Sequence, residues 1–318
     1  MGEKRIITVL GATGSQGGSV VRAIAADPTG GFVARAVTRN KEKAEELLAL
    51  GIEVVEADLD DEASLRRAFD GAHGAFVVTN WWEPPTADSA WNSRTEREQG
   101  QAGNAARAAA ATGLRHVVWS TLADTRPYLP DAPRQEAGYT VPHADGKAEA
   151  NAFFLDAGVP TTFVTAPMYY ESLFTFNAPR RAEDGTIVLA MPIGSAQVVS
   201  GTVEDVGHTV YAIFRRGDTL VGRTVPIASD LCAGEDFAAG IAEALGEPVR
   251  YVPVDPAALA HSGMPDAGEV ANMFQYFINA EKDLTQIDFD WLRDLNPGLQ
   301  PFSTWASANR DRFRALSL

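Results

Sequence analysis

The sequence predicts an α/β protein, a doubly wound parallel sheet followed by a smaller α+β lobe, and three observations predict it. Over the first 166 residues, short apolar runs alternate with longer amphipathic ones; parallel neighbours need helical crossovers of that kind. A turn with three regularly spaced glycines, Gly11-Ala12-Thr13-Gly14-Ser15-Gln16-Gly17, falls between the first apolar run and the first amphipathic one. Beyond Pro167 the rhythm breaks at Pro179, Pro192, Pro226, Pro248 and Pro253, because proline interrupts ladders and helices alike.

The strands are expected at Ile6–Leu10, Phe32–Thr38, Glu53–Glu56, Gly74–Thr79, His116–Trp119 and Thr161–Ala166. Helices are expected between them at Ser15–Ala26, Lys41–Leu50, Glu62–Phe69, Arg94–Thr112 and Gly146–Ala157. The organisation that follows is a nucleotide-binding domain over residues 1–166 and a smaller C-terminal substrate or partner lobe over 167–318. The segments of the second part interleave with the first.

Composition narrows the function. The chain has 318 residues, 45% hydrophobic and 22% charged, enough for a large core. One cysteine, Cys232, excludes an internal disulfide framework and a cysteine-rich zinc site. The histidines His73, His116, His208 and His261 lack ligand spacing, so no metal is expected. A net charge of −15 repels phosphate backbones, so nucleic acid is not an expected partner. The segment before Gly11 is too short for a signal-peptide core, and no apolar run spans a membrane. The chain reads as cytosolic, without a membrane partner.

The glycine turn carries the strongest signal. Gly11 suits a tight turn, Gly14 the close approach of backbone to a pyrophosphate, and Gly17 the packing of helix on strand. Free N–H groups at the helix start, with the positive end of its dipole, face the phosphates. This is a Rossmann-type arrangement with G-x-x-G-x-x-G spacing. The second strand selects the cofactor. It ends Val37-Thr38-Arg39-Asn40-Lys41, without the acid that would accept a ribose 2′-hydroxyl. A guanidinium at position 39 suits a 2′-phosphate, so NADP(H) is expected over NAD(H). The alternative is an Arg39 merely exposed at a helix start.

Gly11–Gly18, Val37-Thr38-Arg39-Asn40, Val77-Val78-Thr79-Asn80-Trp81-Trp82-Glu83, Gly146-Lys147 and Pro167-Met168-Tyr169-Tyr170-Glu171 together resemble the NmrA-like family of atypical short-chain dehydrogenase/reductase proteins. The resemblance continues at Asp266–Phe277 and Leu295-Asn296-Pro297. It implies that Gly11, Thr13, Gly14, Ser15, Gln16 and Gly17 hold the pyrophosphate, and that Arg39, Asn40 and Lys41 hold the 2′-phosphate side. Asp58 and Leu59 would then flank the adenine, and Thr79, Asn80 and Trp81 would line the middle of the cofactor. Lys147 would reach the nicotinamide ribose, while Tyr169, Tyr170, Glu171 and Ser172 would close over the nicotinamide end.

Catalysis is less legible. The wider superfamily uses Tyr-x-x-x-Lys, where the lysine lowers the tyrosine pKa for proton transfer. Here the window reads His143-Ala144-Asp145-Gly146-Lys147, so the tyrosine mechanism is in doubt. His143 is a candidate proton donor, with the plainer alternative of a solvent-exposed residue preceding a helix that starts near Gly146. Tyr139, and Ser120 with Thr121 at the fifth strand end, are further candidates, set against a surface loop and strand-end caps. Trp81, Trp82, Trp91, Met168, Tyr169, Tyr170, Met264, Phe274 and Phe277 either line an apolar cavity or form core. Two functions follow. One is an NADP(H)-binding redox sensor acting on a protein partner, with a homodimer left open. The other is an NADPH-dependent reductase of a small apolar carbonyl, quinone or imine.

Overall fold

A computed structural model describes residues 4–85 and 90–316; the first three residues of the N-terminal reading, Met1, Gly2 and Glu3, lie outside it. In chain order the first elements are β1 (Arg5–Val9), α1 (Ser15–Ala25), β2 (Phe32–Thr38), α2 (Glu45–Ala49), β3 (Glu53–Glu56), α3 (Glu62–Phe69) and β4 (Gly74–Val77). They continue with α4 (Arg94–Thr112), β5 (His116–Thr121), α5 (Pro142–Asp156), β6 (Thr161–Thr165), β7 (Met168–Tyr169), β8 (Arg180–Arg181), β9 (Ile187–Met191) and β10 (Val198–Gly201). The remainder are α6 (Val203–Arg216), β11 (Thr224–Pro226), β12 (Asp230–Cys232), α7 (Gly234–Leu245), β13 (Val249–Pro253), α8 (Pro256–Ala260), α9 (Ala267–Asn279), α10 (Glu281–Leu284), α11 (Phe289–Leu295), α12 (Phe302–Ala308) and α13 (Arg310–Ala315).

The chain divides into two compact units. The first comprises Met1–Asp124, Pro142–Ala166 and Val206–Ile227, and the second Thr125–Val141, Pro167–Asp205 and Ala228–Leu318. The first unit is built on a seven-stranded sheet in the order β11-β6-β5-β4-β1-β2-β3. Every pairing in it is parallel. β4 and β5 are buried along their whole length, as strands covered on both faces must be. The expected strands and helices are all present, and β2, β3, α3 and α4 have the expected bounds.

Helices α3, α4 and α5 build one layer of the first unit, where Leu65, Phe69, Ala102, Ala105, Ala109, Ala150 and Phe154 form a continuous core with Val77, Val117 and Trp119 of the sheet. Small residues let these helices approach closely. A Cβ on Gly146 would lie 2.7 Å from Cγ2 of Thr95, so glycine there serves the α4–α5 contact. Gly146 therefore does not start α5. The helix begins at Pro142, whose ring fixes φ and whose missing N–H costs nothing in a first turn. His143 thus lies inside the helix, half-buried, rather than in an exposed segment before it.

The second unit holds two three-stranded sheets, β12-β10-β7 and β13-β9-β8. Its core gathers Tyr170, Leu173, Leu189, Met191, Phe237, Ile241, Phe274, Phe302, Trp305 and Phe313. Tyr170 and Phe274 of the aromatic set are therefore core residues, 0% and 1% exposed.

Candidate functional site

Strand order reverses between β1 and β4, and open parallel sheets bind ligands in the crevice at such a switch point, beyond the carboxyl ends of the strands. The turn after β1 and the segment after β4 both emerge there. In the turn, Gly11 takes a φ of +62°, a left-handed conformation that glycine adopts without strain. Its carbonyl accepts from the Gly14 N–H at 2.8 Å, which closes the loop. A Cβ on Gly17 would come within 2.3 Å of the Gly11 carbonyl oxygen, so no side chain fits. Gly14 caps α1 without any side-chain hydrogen bond, and no acid stands in its first turn. Thr13, Gly14 and Ser15 are exposed, Gln16 is half-buried and Gly17 is buried. The α1 N-terminus therefore presents amides and a positive dipole end to an anion. Gln16 is held in place: its Oε1 accepts from the Ser120 hydroxyl at 2.7 Å.

At the end of β2, Arg39 is exposed but engaged. Its two terminal nitrogens donate to the two oxygens of Glu83, at 2.7 and 3.1 Å. Neighbouring carboxylates, Glu83 first, hold the guanidinium pKa above its ordinary value. Asn40 caps the turn Lys41–Ala44, accepting from the Glu42 N–H at 2.8 Å, and Lys41 is exposed. Arg39 also lines a cleft of about 390 Å³ with Glu56, Ala57, Asp58, Asp61, Ser64 and Arg67. Asp58 caps the following turn by accepting from the Asp60 N–H, and Leu59 gives its carbonyl to Asn104 at 2.9 Å.

After β4, Thr79 belongs to a buried polar knot. Lys147 Nζ donates to Glu98 Oε1 and to Thr79 Oγ1, each at 2.6 Å, and to the Thr79 carbonyl at 3.1 Å. The Thr79 hydroxyl donates to Glu98 at 2.8 Å. An ammonium carries three N–H donors, and all three of Lys147 are used. As held here, Lys147 ties α5 to α4 and to the end of β4, and a contact to a ribose requires one of those bonds to open. Glu98 is 1% exposed and its Oε2 has no hydrogen-bond partner among the described residues. Trp81 is buried, with its indole N–H on Thr95 at 2.9 Å and Arg94 stacked over its ring, while Asn80 is exposed. His143 packs against the half-exposed Trp82, with ring centroids 5.3 Å apart and the rings tilted by 37°. Thr121 donates to the Lys147 carbonyl at 3.1 Å.

The residues expected at the nicotinamide end, and Tyr139, lie in the second unit. Tyr170 donates to the Gln300 carbonyl at 3.2 Å and packs on Phe302 and Trp305. Glu171 accepts from Thr202 Oγ1 at 2.6 Å and from the Val203 N–H at 3.2 Å, so it caps α6. Ser172 is buried and accepts from Asn177. Burial raises the Tyr169 pKa, with Glu171 adding to the effect, and its hydroxyl has no hydrogen-bond partner among the described residues. Tyr139 lies on the segment Thr125–Val141, with Arg126 over its ring. Among the described residues no three His, Cys, Asp or Glu side chains are grouped to hold a metal, and no helix is long and apolar enough to cross a membrane.

Sequence reasoning quoted Glu83 only as part of a motif, without a role, and did not single out Glu98. Each is a carboxylate distant in sequence from its cationic partner, so spacing carries no trace of the pairing. The only signals were a glutamate inside the alanine-rich α4 and one following a tryptophan pair.

The sheet order and the bare glycine turn at its switch point define a Rossmann-type α/β protein. The model of the NmrA-like family matches residues 3–298, and the chain belongs to that family. It is 32% identical over 265 residues to the NmrA-like family domain-containing oxidoreductase himF of Aspergillus japonicus, covering 78% of this chain and 75% of that one. It is 31% identical over 258 residues to malD of Malbranchea aurantiaca, which carries the same description, with 78% and 75% covered. Among solved structures it shares its fold with NmrA, a negative transcriptional regulator in complex with NADP, at a TM-score of 0.79 and 22% identity, over 100% of this chain and 99% of that one. The triphenylmethane reductase of Citrobacter sp. complexed with NADP(H) is similar at a TM-score of 0.74 and 20% identity, over 96% and 99%.

Proposed function

We propose that this chain binds NADP(H) on its first unit and that occupancy of the site, rather than turnover, is its output to a protein partner or a second copy. The observation that carries the reading is the uncapped α1 N-terminus behind a turn in which Gly17 admits no side chain. Arg39 beside the cleft supports the phosphorylated dinucleotide. The roles given above to Gly11–Gly17, Arg39–Lys41, Asp58, Leu59 and Thr79–Trp81, all on the first unit, belong to this proposal. Two observations support binding without chemistry. No tyrosine precedes Lys147 by one turn, and the Lys147 ammonium is fully engaged by Thr79 and Glu98. NmrA, a regulator solved with NADP, supports the same reading.

The second reading is NADPH-dependent reduction of a small apolar carbonyl, quinone or imine. It is favoured by the description of himF and malD as oxidoreductases, and by His143, half-buried in α5 one turn before Lys147. In that reading His143 gives the proton. Calorimetric titration of NADPH and NADH, followed by NADPH consumption with a panel of carbonyls, quinones and imines, decides between them. Tight NADPH binding without consumption is the expected result. Consumption abolished by His143→Ala establishes the reductase, and failure of both nucleotides to bind removes both readings.

A further inference from the structure

We propose that Glu83 is an internal competitor for the 2′-phosphate at Arg39, and so sets the selectivity of the site between phosphorylated and unphosphorylated dinucleotides. The inference rests on the proposed NADP(H) reading. A paired fork of N–H donors is the group that grips a phosphate, and in this structure both oxygens of the Glu83 carboxylate occupy that fork. Glu83 stands in for the phosphate with the same sign of charge and the same paired geometry.

The position of this carboxylate is set by its backbone. The Glu83 N–H donates to the Asn80 carbonyl at 3.3 Å, and its own carbonyl accepts from Arg97 at 3.4 Å. Arg97 is in turn fixed by two bonds to Asp60, at 2.9 and 3.0 Å. These contacts place the Glu83 backbone so that its carboxylate reaches Arg39. The pair itself is lightly held, with side chains 54% and 37% exposed, and exposed ion pairs are weak.

A 2′-phosphate entering the cleft meets Glu56, Asp58 and Asp61 along with Arg67, and at Arg39 it meets the paired Glu83. To take the paired terminal N–H groups of the guanidinium, the phosphate must displace the Glu83 carboxylate that holds them, so part of its gain is spent opening the pair. A ribose 2′-hydroxyl is neutral and leaves the pair closed. Removing the Glu83 carboxylate should therefore strengthen NADPH binding and leave NADH binding alone.

The test is calorimetric titration of NADPH and NADH on the full chain as wild type, Glu83→Gln, Glu83→Asp, Arg39→Gln and the Arg39→Gln/Glu83→Gln double variant. Glu83→Gln should tighten NADPH by about two- to five-fold, with NADH unchanged. Glu83→Asp, which keeps the charge but shortens the reach, should tighten NADPH to a smaller extent. On the Arg39→Gln background the effect of Glu83→Gln should vanish. Unchanged or weaker NADPH binding in both Glu83 variants overturns the inference, as does an equal gain for both nucleotides or a gain that survives without Arg39. If wild type binds NADPH and Arg39→Gln weakens it while the Glu83 variants do nothing, the inference alone fails. If wild type binds neither nucleotide, the proposed function fails with it.

Discussion

Lys147 is a buried charge held by the scaffold, bonded to Thr79 and Glu98. Its ion pair with Glu98 is desolvated on both sides, at 11% and 1% side-chain exposure. Removing one partner of such a pair costs about 3–5 kcal/mol, because the other charge stays buried without compensation. Lys147→Met is expected to lower the urea unfolding free energy by that amount. Lys147→Met/Glu98→Gln should recover about half of it, since replacing both partners of a buried pair costs far less than removing one. A loss below about 1 kcal/mol for the single change would mean that the pair contributes little. His116 gives a pH signature. Its Nε2 meets the Thr162 hydroxyl at 2.8 Å, and burial pushes its pKa down from 6.5 to about 4, with Asp218 opposing and His73 adding to the shift. The folded state therefore disfavours the protonated ring, which the unfolded chain accepts below about 6.5. Stability from this group is complete above about pH 6.5 and falls as the pH drops toward 4, by an amount on the order of 3 kcal/mol. His116→Gln should flatten that slope in chemical denaturation at stepped pH, and an unaltered slope would assign the acid sensitivity to other groups.

At the scale of elements, the N-terminus of α1 is left without a side-chain cap and without an acid, whereas the starts of α3 and α4 are capped by Asp61 and Ser93. A glycine in the cap position forgoes only a few tenths of a kcal/mol against Ser, Thr, Asp or Asn, a small cost where an anion is to take the cap's place. Ser15→Asp puts a carboxylate in that first turn. It should raise stability by about 0.3–1 kcal/mol through the dipole, while weakening NADPH through repulsion of the pyrophosphate. Stability and affinity moving together in melting and titration would remove α1 from the site. Helix α5 shows how elements are misread. The sequence pattern places its start at Gly146, but Pro142 begins it and Gly146 meets Thr95 of α4.

Over the whole molecule, the strand–helix alternation, the parallel sheet and the glycine turn could all be read from the chain. Those features rest on local physics: a strand covered on both faces must be apolar, a crossover must be long, and a residue facing a carbonyl 2.3 Å away must lack a Cβ. The chain likewise displayed Arg39 where an acid would favour the unphosphorylated cofactor. The partners were not legible. Glu83 lies 44 residues from Arg39 and Glu98 lies 49 from Lys147, and a charge pair between loops or helix faces leaves no period in the sequence. The same holds for Glu171, whose cap on α6 no spacing in the sequence announces. What the sequence determined by itself was the architecture and the place of a phosphate turn, because backbone geometry and burial impose them residue by residue. Which charges neutralise Arg39 and Lys147 was decided only by the tertiary structure, since that depends on which strand ends the sheet order brings side by side.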